Sequence, residues 1–498
     1  MIDLHPEDLG GETGEKLLNY IRNRRWFGQK SLAPESIKVL DIATLDSQDL
    51  IFILILEIGF HEGGSALYSF PLAISLKEEE GTIASIDFRG LRMFLCDAFF
   101  QPAYTKAMIL GIAAESEIKG MAGTVKFSKT GFFRMPAFQE FETVKSEQSN
   151  SSSIVDRGII VKNYRYLQSG ENPDLEMALA LRVRSGFSNV PMPMGYAVYE
   201  GKGMRLYLAG CSEFLDGSVD AWSYYTGKFI SLAEKPETFP LLKCDIVRLG
   251  EELGGITGSM HRSLSHIEEG AFRPEPVQLS DLHDIVTGSL SYIRECFELL
   301  KPYIEKNEKY TERFLKIVGK IHLNALGERM LSGLALSGMK KIRVHGDYHL
   351  GQILIWRDSF YIIDFEGEPV RSMEERRKKQ SPMKDLAGII RSMDYLVSYI
   401  ILKTGNKRLA KDKEILLRKV RETLIDSYRK AFTGCPEIFS DDSEKFNELL
   451  DLYILEKASY ELLYEINNRP AWIEIPLIPV MDILESSTAT GEDHKGSA

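Results

Sequence analysis

The chain is poor in the features that mark several large protein classes. Cysteine is scarce: Cys96, Cys211, Cys244, Cys296 and Cys435 are scattered and odd in number. No spacing among them suggests a zinc site or a disulfide framework, so a reducing compartment is expected. Basic charge is not in excess either. Lys and Arg total 61 against 72 Asp and Glu, a net charge of −11. That balance argues against binding nucleic acid or an anionic membrane through bulk electrostatics. The apolar run from Ile51 to Phe60 is far too short to cross a bilayer. The N-terminus, Met1 to Asp8, is acidic and has no apolar core of the signal-peptide kind. No internal repeat is evident. The expectation is a cytoplasmic protein with neither membrane nor nucleic-acid partners.

What is present supports real cores. Hydrophobic residues make up 44% of the chain and aromatics 10%, and 498 residues suffice for two or more domains or lobes. Residues 1–90 read as a small α/β unit. A helix from Glu15 to Arg24 precedes strand-like runs at Ile37–Ala43, Leu50–Ile58 and Ala66–Ile74. Helix and strand signals mix over 91–210. From 211 to 485 long helical patterns dominate, and residues 486–498 are small and polar, which predicts a disordered tail. The fold class is α+β.

One stretch interrupts the helical region. His345-Gly346-Asp347-Tyr348-His349-Leu350-Gly351-Gln352 is followed by two apolar, β-branched runs, Ile353–Trp356 and Phe360–Ile363. Arg357-Asp358-Ser359 between them predicts a turn, and the pair a hairpin. Folding it about Asp358 sets Gln352 opposite Asp364, and cross-strand neighbours lie about 4.5–5.5 Å apart at Cβ. An amide oxygen and a carboxylate at that distance can share a hard cation such as Mg²⁺. Asp347 lies just before the first strand, on the same side. This is the set that phosphoryl transfer needs: a residue to orient the attacking hydroxyl, and ligands for the metal on the nucleotide phosphates. Either tetrapeptide alone is most often a turn or a strand end; together, joined by this hairpin, they favour the chemistry.

Upstream, Gly158–Lys162 is a buried-type strand carrying one lysine, and Asn172-Pro173-Asp174-Leu175-Glu176 opens a helix. Asn172 can cap it and Pro173 suits the first turn. In kinase-like folds a strand lysine contacts the nucleotide phosphates and a helix glutamate pins it, roles open here to Lys162 and Glu176. The competing reading is a snorkelling strand-end lysine with a helix-dipole glutamate. The segment from Glu147 to Ser153 is the candidate phosphate loop. It has no glycine, but the hydroxyls of Ser149, Ser151 and Ser152 and its backbone N–H groups can donate to phosphate oxygens. A plain Ser/Asn hairpin tip is equally compatible. Cys211 to Leu215 stands where the chain should cross between lobes.

These residues resemble those of the bacterial maltokinases, within the aminoglycoside-phosphotransferase-like kinases. The resemblance runs over nearly the whole length. It is carried by Arg25-Trp26-Phe27-Gly28, Glu147–Asn150, Asn172–Glu176, His345–Gln352, Asp364–Pro369, Glu375–Pro382 and Tyr464–Pro470. It implies a bilobal kinase-like fold: an N-terminal cap over 1–90, an intermediate nucleotide-binding subdomain over 91–210, and a mostly helical C-lobe over 211–485. It implies ATP and Mg²⁺ as cofactors and maltose as acceptor, phosphorylated at the anomeric oxygen and feeding α-glucan synthesis, with a trehalose synthase as a possible partner. Carried over residue by residue, Asp347 is the base, Gln352 and Asp364 are the metal ligands, and Lys162 and Glu176 serve the phosphates. Tyr464, Glu465, Arg469 and Trp472 resemble the sugar-recognition edge, which His349 could join, and Asp385 would brace the catalytic loop. The bland alternatives are core aromatics, an i,i+4 surface pair and a satisfied core histidine. Two other functions stay open: a kinase of the same fold acting on glucosamine or an aminoglycoside, and a non-catalytic nucleotide-binding partner of a glucan enzyme.

Overall fold

A computed structural model describes residues 4–28, 32–88, 91–144, 150–304, 339–368, 371–433, 438 and 443–489. The fold is mixed helix and sheet. The chain divides into two compact units: Met1–Arg182 with Val190–Gly217, and Val183–Asn189 with Ser218–Ala498.

The first unit holds two sheets. One contains β1 (Pro34–Asp46), β2 (Ile51–Phe60), β3 (Ser65–Ser75), β4 (Thr82–Phe88) and β5 (Leu91–Asp97), in the order β1-β2-β3-β5-β4. Strand β2 reads as an unbroken apolar run because both of its faces are covered. Phe52, Leu54 and Leu56 join a core with Leu17 and Ile21 of α1 (Gly11–Arg22), Trp26 and Phe27. Ile51, Ile53 and Ile55 join another core with Met108 and Ile112 of α2 (Pro102–Ala114).

That second core continues into the other sheet. It contains β6 (Glu117–Lys119), β7 (Gly123–Lys129), β8 (Phe141–Val144), β9 (Ser151–Val155), β10 (Ile159–Asn163), β12 (Pro193–Gly201) and β13 (Met204–Glu213), ordered β6-β7-β12-β13-β10-β9-β8. The chain leaves β10 and, as β11 (Tyr166–Leu167), returns to pair Tyr166 with Tyr68 of β3. A separate cap ending at residue 90 is therefore not what the packing gives. Shared side chains and a returning strand merge 1–90 with the second sheet. Between β10 and β11, Arg165 is 1% exposed and bonds Asp97, also 1% exposed, at 3.0 and 3.2 Å. Its Nε donates to Ser151 Oγ at 3.1 Å. The rings of Trp26, Phe70 and Phe99 lie 5.0–5.5 Å from the guanidinium.

The main segment of the second unit begins at Ser218, later than the crossing expected at Cys211–Leu215; Cys211 is a buried residue of β13. It is helical: α4 (Ala221–Ala233), α5 (Phe239–Ser265), α6 (Leu279–Ile304), α7 (Met383–Thr404), α8 (Lys407–Ala431), α9 (Ser443–Asn468) and α10 (Glu474–Ala489). Two small sheets accompany these helices. One pairs β15 (Glu275–Pro276) with β16 (Lys340–Lys341). The other orders β14 (Val219–Asp220), β17 (Ile353–Trp356) and β18 (Ser359–Ile362) as β14-β17-β18. Helix α5 lies so close to α8 that a Cβ on Gly254 would stand 2.1 Å from the carbonyl oxygen of Leu424. Helix α7 is the hub, with every residue from Asp385 to Met393 buried. Residues 486–489, expected in a tail, belong to α10, which extends to Ala489; residues 490–498 lie outside the described ones.

Candidate active site

The hairpin forms at β17 and β18, but its turn is tighter than the expected three-residue one. Arg357 and Asp358 both take positive φ, 50° and 57°, the signature of a two-residue type I′ turn, whose twist matches that of paired strands. The register becomes Ile353↔Ile362, and Ile363 N–H donates to the Gln352 carbonyl at 3.0 Å. Gln352 thus faces Ile363 rather than Asp364, one residue off the expected pairing. The backbone corrects the offset locally. Asp364 adopts φ +65°, a left-handed conformation that costs a non-glycine residue energy and clusters at functional sites. Its Oδ2 then accepts from Gln352 Nε2 at 3.0 Å.

That contact tests the pair as a cation site. An amide nitrogen would repel a metal, but a half-turn of the Gln352 amide presents its oxygen instead, and carbonyl oxygen with carboxylate is the donor set Mg²⁺ takes. The residues fit the ion.

Asp347 sits on a loop held from three sides. Asp385, at the start of α7, accepts from the backbone N–H of His345 at 2.7 Å and of Gly346 at 2.9 Å, and faces His261 Nε2 at 3.0 Å. His261 Nδ1 lies 2.9 Å from the Tyr428 hydroxyl. Burial opposes the charge on Asp385, yet these hydrogen bonds and the nearby histidines outweigh it and hold the carboxyl below its usual range. His345 Nε2 donates to the Ile363 carbonyl at 2.9 Å, tying the loop to the end of the hairpin. From below, Gly388 of α7 meets the loop so closely that a Cβ there would lie 2.5 Å from the Tyr348 carbonyl oxygen.

A residue the sequence reading missed reaches Asp347 from α9. Lys457 Nζ lies 3.4 Å from Asp347 Oδ1. Burial works against the ammonium, but Asp347, Glu461 and Glu368 overcome it and raise its pKa, keeping it charged. Asp347 and Lys457 line a cavity of about 220 Å³ with Glu368, Arg371, Lys384, Glu456 and the rings of Tyr292, Tyr453 and Tyr460. Glu368 bonds Arg371 Nε at 2.5 Å and faces Lys384 at 3.6 Å. Only a face-by-face reading of α9, with Glu456, Lys457, Tyr460 and Tyr464 at helical spacing, could have suggested this wall.

The expected sugar edge divides. Glu465 is 1% exposed, its oxygens held by Arg469 at 2.6 and 2.9 Å and by the Tyr395 hydroxyl at 3.0 Å. It packs α9 against α7 and offers nothing to a sugar. The Trp472 ring lies tilted against those of Tyr395 and Tyr399, at centroid distances of 6.0 and 5.5 Å, with Arg469 4.8 Å over its ring. These neighbours cover part of its ring, while the Arg469 side chain is 46% exposed. Tyr464, 45% exposed, stays available. His349 Nδ1 accepts the Gly351 N–H at 3.0 Å, so the ring proton sits on Nε2. Burial lowers its pKa despite nearby Asp347, and it stands as a neutral donor.

In the first unit, Lys162 of β10 bonds Asp174 Oδ2 at 3.3 Å. Glu176, the expected partner, follows two residues on in α3 (Pro173–Leu179), whose cap Asn172 accepts from Leu175 N–H at 3.1 Å. Part of the segment expected as a phosphate loop lies in a strand. Ser151 and Ser152 are buried residues of β9, and Ser151 is committed to Arg165. Ser149 lies outside the described residues. The basic run from Arg376 to Lys379 acts partly as internal bracing. Arg376 Nε donates to the Arg371 carbonyl at 3.0 Å, and Lys379 pairs with Glu275.

No family model matches the chain. It is similar to the glucosamine kinase of Streptacidiphilus jiangxiensis, 24% identical over 344 residues, covering 68% of this chain and 72% of that protein. It is also similar to the glucosamine kinase of Mycolicibacterium smegmatis (strain ATCC 700084 / mc(2)155), 24% identical over 348 residues, 69% and 79% of the two chains. Among solved structures, a glucosamine kinase in complex with glucosamine, ADP and inorganic phosphate superposes with a TM-score of 0.66 at 18% identity, covering 94% of this chain and 98% of that one. The chain thus shares the fold of that glucosamine kinase structure. These relatives carry the sugar-kinase part of the expectation and not its maltose part. No helix among the described residues is long and apolar enough to cross a membrane.

Proposed function

We propose that the protein is an ATP-dependent sugar kinase whose acceptor is a hexosamine such as glucosamine. The observation that carries this reading is a braced carboxylate, Asp347, paired with Lys457 and opening onto a cavity. Asp347 takes the proton of the acceptor hydroxyl. The oxygen forms its bond to the γ-phosphorus as the bond to the ADP oxygen breaks, and ADP leaves with the electron pair. Gln352 and Asp364 would hold Mg²⁺, which supplies neutralising charge to the phosphates when bound. Lys162 is assigned to the nucleotide phosphates, with Asp174 and Glu176 as its acidic neighbours.

The relatives favour glucosamine over maltose. One observation keeps maltose as a second reading: the exposed ring of Tyr464 follows Lys457 by two helical turns and would suit a second sugar ring. ADP release with ATP and Mg²⁺ across glucosamine, glucose, maltose and trehalose, with product analysis, separates the two. Sugar-independent ADP release, or none at all, refutes the reading.

A further inference from the structure

The charges lining the cavity beside Asp347 can be paired off one by one. Asp347 faces Lys457 at 3.4 Å. Glu368 is taken by Arg371 and Lys384, at 2.5 and 3.6 Å. Glu375 caps the turn Met373–Arg376 through Ser372. Glu456 is left. Among the described residues its carboxylate reaches Arg371 Nη2 at 3.7 Å, beyond hydrogen-bonding range, and that guanidinium already bonds Glu368. The carboxyl is correspondingly hard to ionise: burial, helped by neighbouring Glu368, pushes its pKa up despite Lys384 and Arg371. An acid in that position gains most from a ligand that brings a positive charge with hydrogen-bond donors, and little from a neutral hydroxyl.

We propose that this cavity is the acceptor site and that Glu456 selects an acceptor carrying a protonated amine. The inference rests on the sugar-kinase reading and deepens it. Glu456 and Lys457 are adjacent on α9 and both line the cavity. One α9 side chain therefore addresses the base, and its neighbour addresses a substituent of the same bound ring.

The test is the ratio of kcat/KM for glucosamine to that for glucose, in the wild type and in Glu456→Gln. The wild-type ratio should be well above one and should fall about tenfold to a hundredfold in the variant, mainly through the KM for glucosamine. Glu456→Asp should keep part of the preference. Should Glu456→Gln fail to fold, competition in the wild type stands in. Glucosamine should then compete for the acceptor site at least tenfold better than glucose or N-acetylglucosamine, which lack the charge. An unchanged ratio in the variant, or a wild type indifferent to the amine, overturns the proposal and leaves the sugar-kinase reading standing. A wild type with no sugar-dependent ADP release overturns both.

Discussion

Two groups of buried charge differ in what they surround. In the first unit, Arg165 and Asp97 face each other inside a shell of Trp26, Phe70 and Phe99. Both are 1% exposed, and no ligand could use them without taking the core apart. In the second unit, Asp347, Lys457, Glu368, Arg371, Lys384 and Glu456 ring an open volume of about 220 Å³. The first group ties strands together; the second leaves charge aimed at space. Sequence alone cannot make this distinction, because both groups read as scattered acids and bases.

The sharpest test of the contrast is Asp347→Asn. The loop is held by its backbone and by Asp385, so folding should be nearly untouched. Turnover should fall about 10²–10⁴-fold, the usual worth of a positioned base, as read by ADP release with glucosamine. Comparable turnover would break the assignment. Arg165→Met should do the reverse, leaving Asp97 buried and unpaired at a cost of about 3–5 kcal/mol in urea unfolding. Pairing it with Asp97→Asn should recover much of that loss. Lys457→Met should lie between the two groups: kcat lowered about tenfold to a hundredfold, corresponding to about 1.4–2.7 kcal/mol, with little change in melting temperature. The smallest effects belong to the sugar edge. Tyr464→Ala should change acceptor KM a few-fold, whereas Trp472→Ala should cost stability and leave KM alone.

The brace predicts a pH effect of definite sign. The Asp385 carboxyl is held below its ordinary value near 3.8. The stability it contributes is therefore present above that value and lost as pH falls through the depressed one. The stability gap between wild type and Asp385→Asn, measured by urea unfolding, should be widest near neutrality and close in strong acid.

The parts of the molecule legible in sequence were those set by local pattern. Alternating and continuous apolar runs marked β2, β3, β17 and β18, and Asn172-Pro173 marked the start of α3. The hairpin register was missed by one residue because Arg357 and Asp358, neither of them glycine, both adopt positive φ. The cap boundary was missed because β11 returns to β3 from about a hundred residues away, pairing Tyr166 with Tyr68 and Leu167 with Leu67. Glu465 and Arg469 have the spacing of a surface pair, and the arrival of Tyr395 from α7 helps bury Glu465 while Arg469 stays 46% exposed. Lys457 was invisible for the same reason: its partner Asp347 lies 110 positions earlier.

Helix α7 carries one further implication. Asp385, in its first turn, anchors the loop bearing the base. Six residues on, Arg391 grips Glu461 at 2.9 Å, one turn past Lys457 on α9. A single stiff rod thus gauges the gap between carboxylate and ammonium. A change that rotates or slides this rod should disturb both partners at once, so lesions far from the cavity, along the Arg391 side of α7, are expected to mimic damage at Asp347 itself.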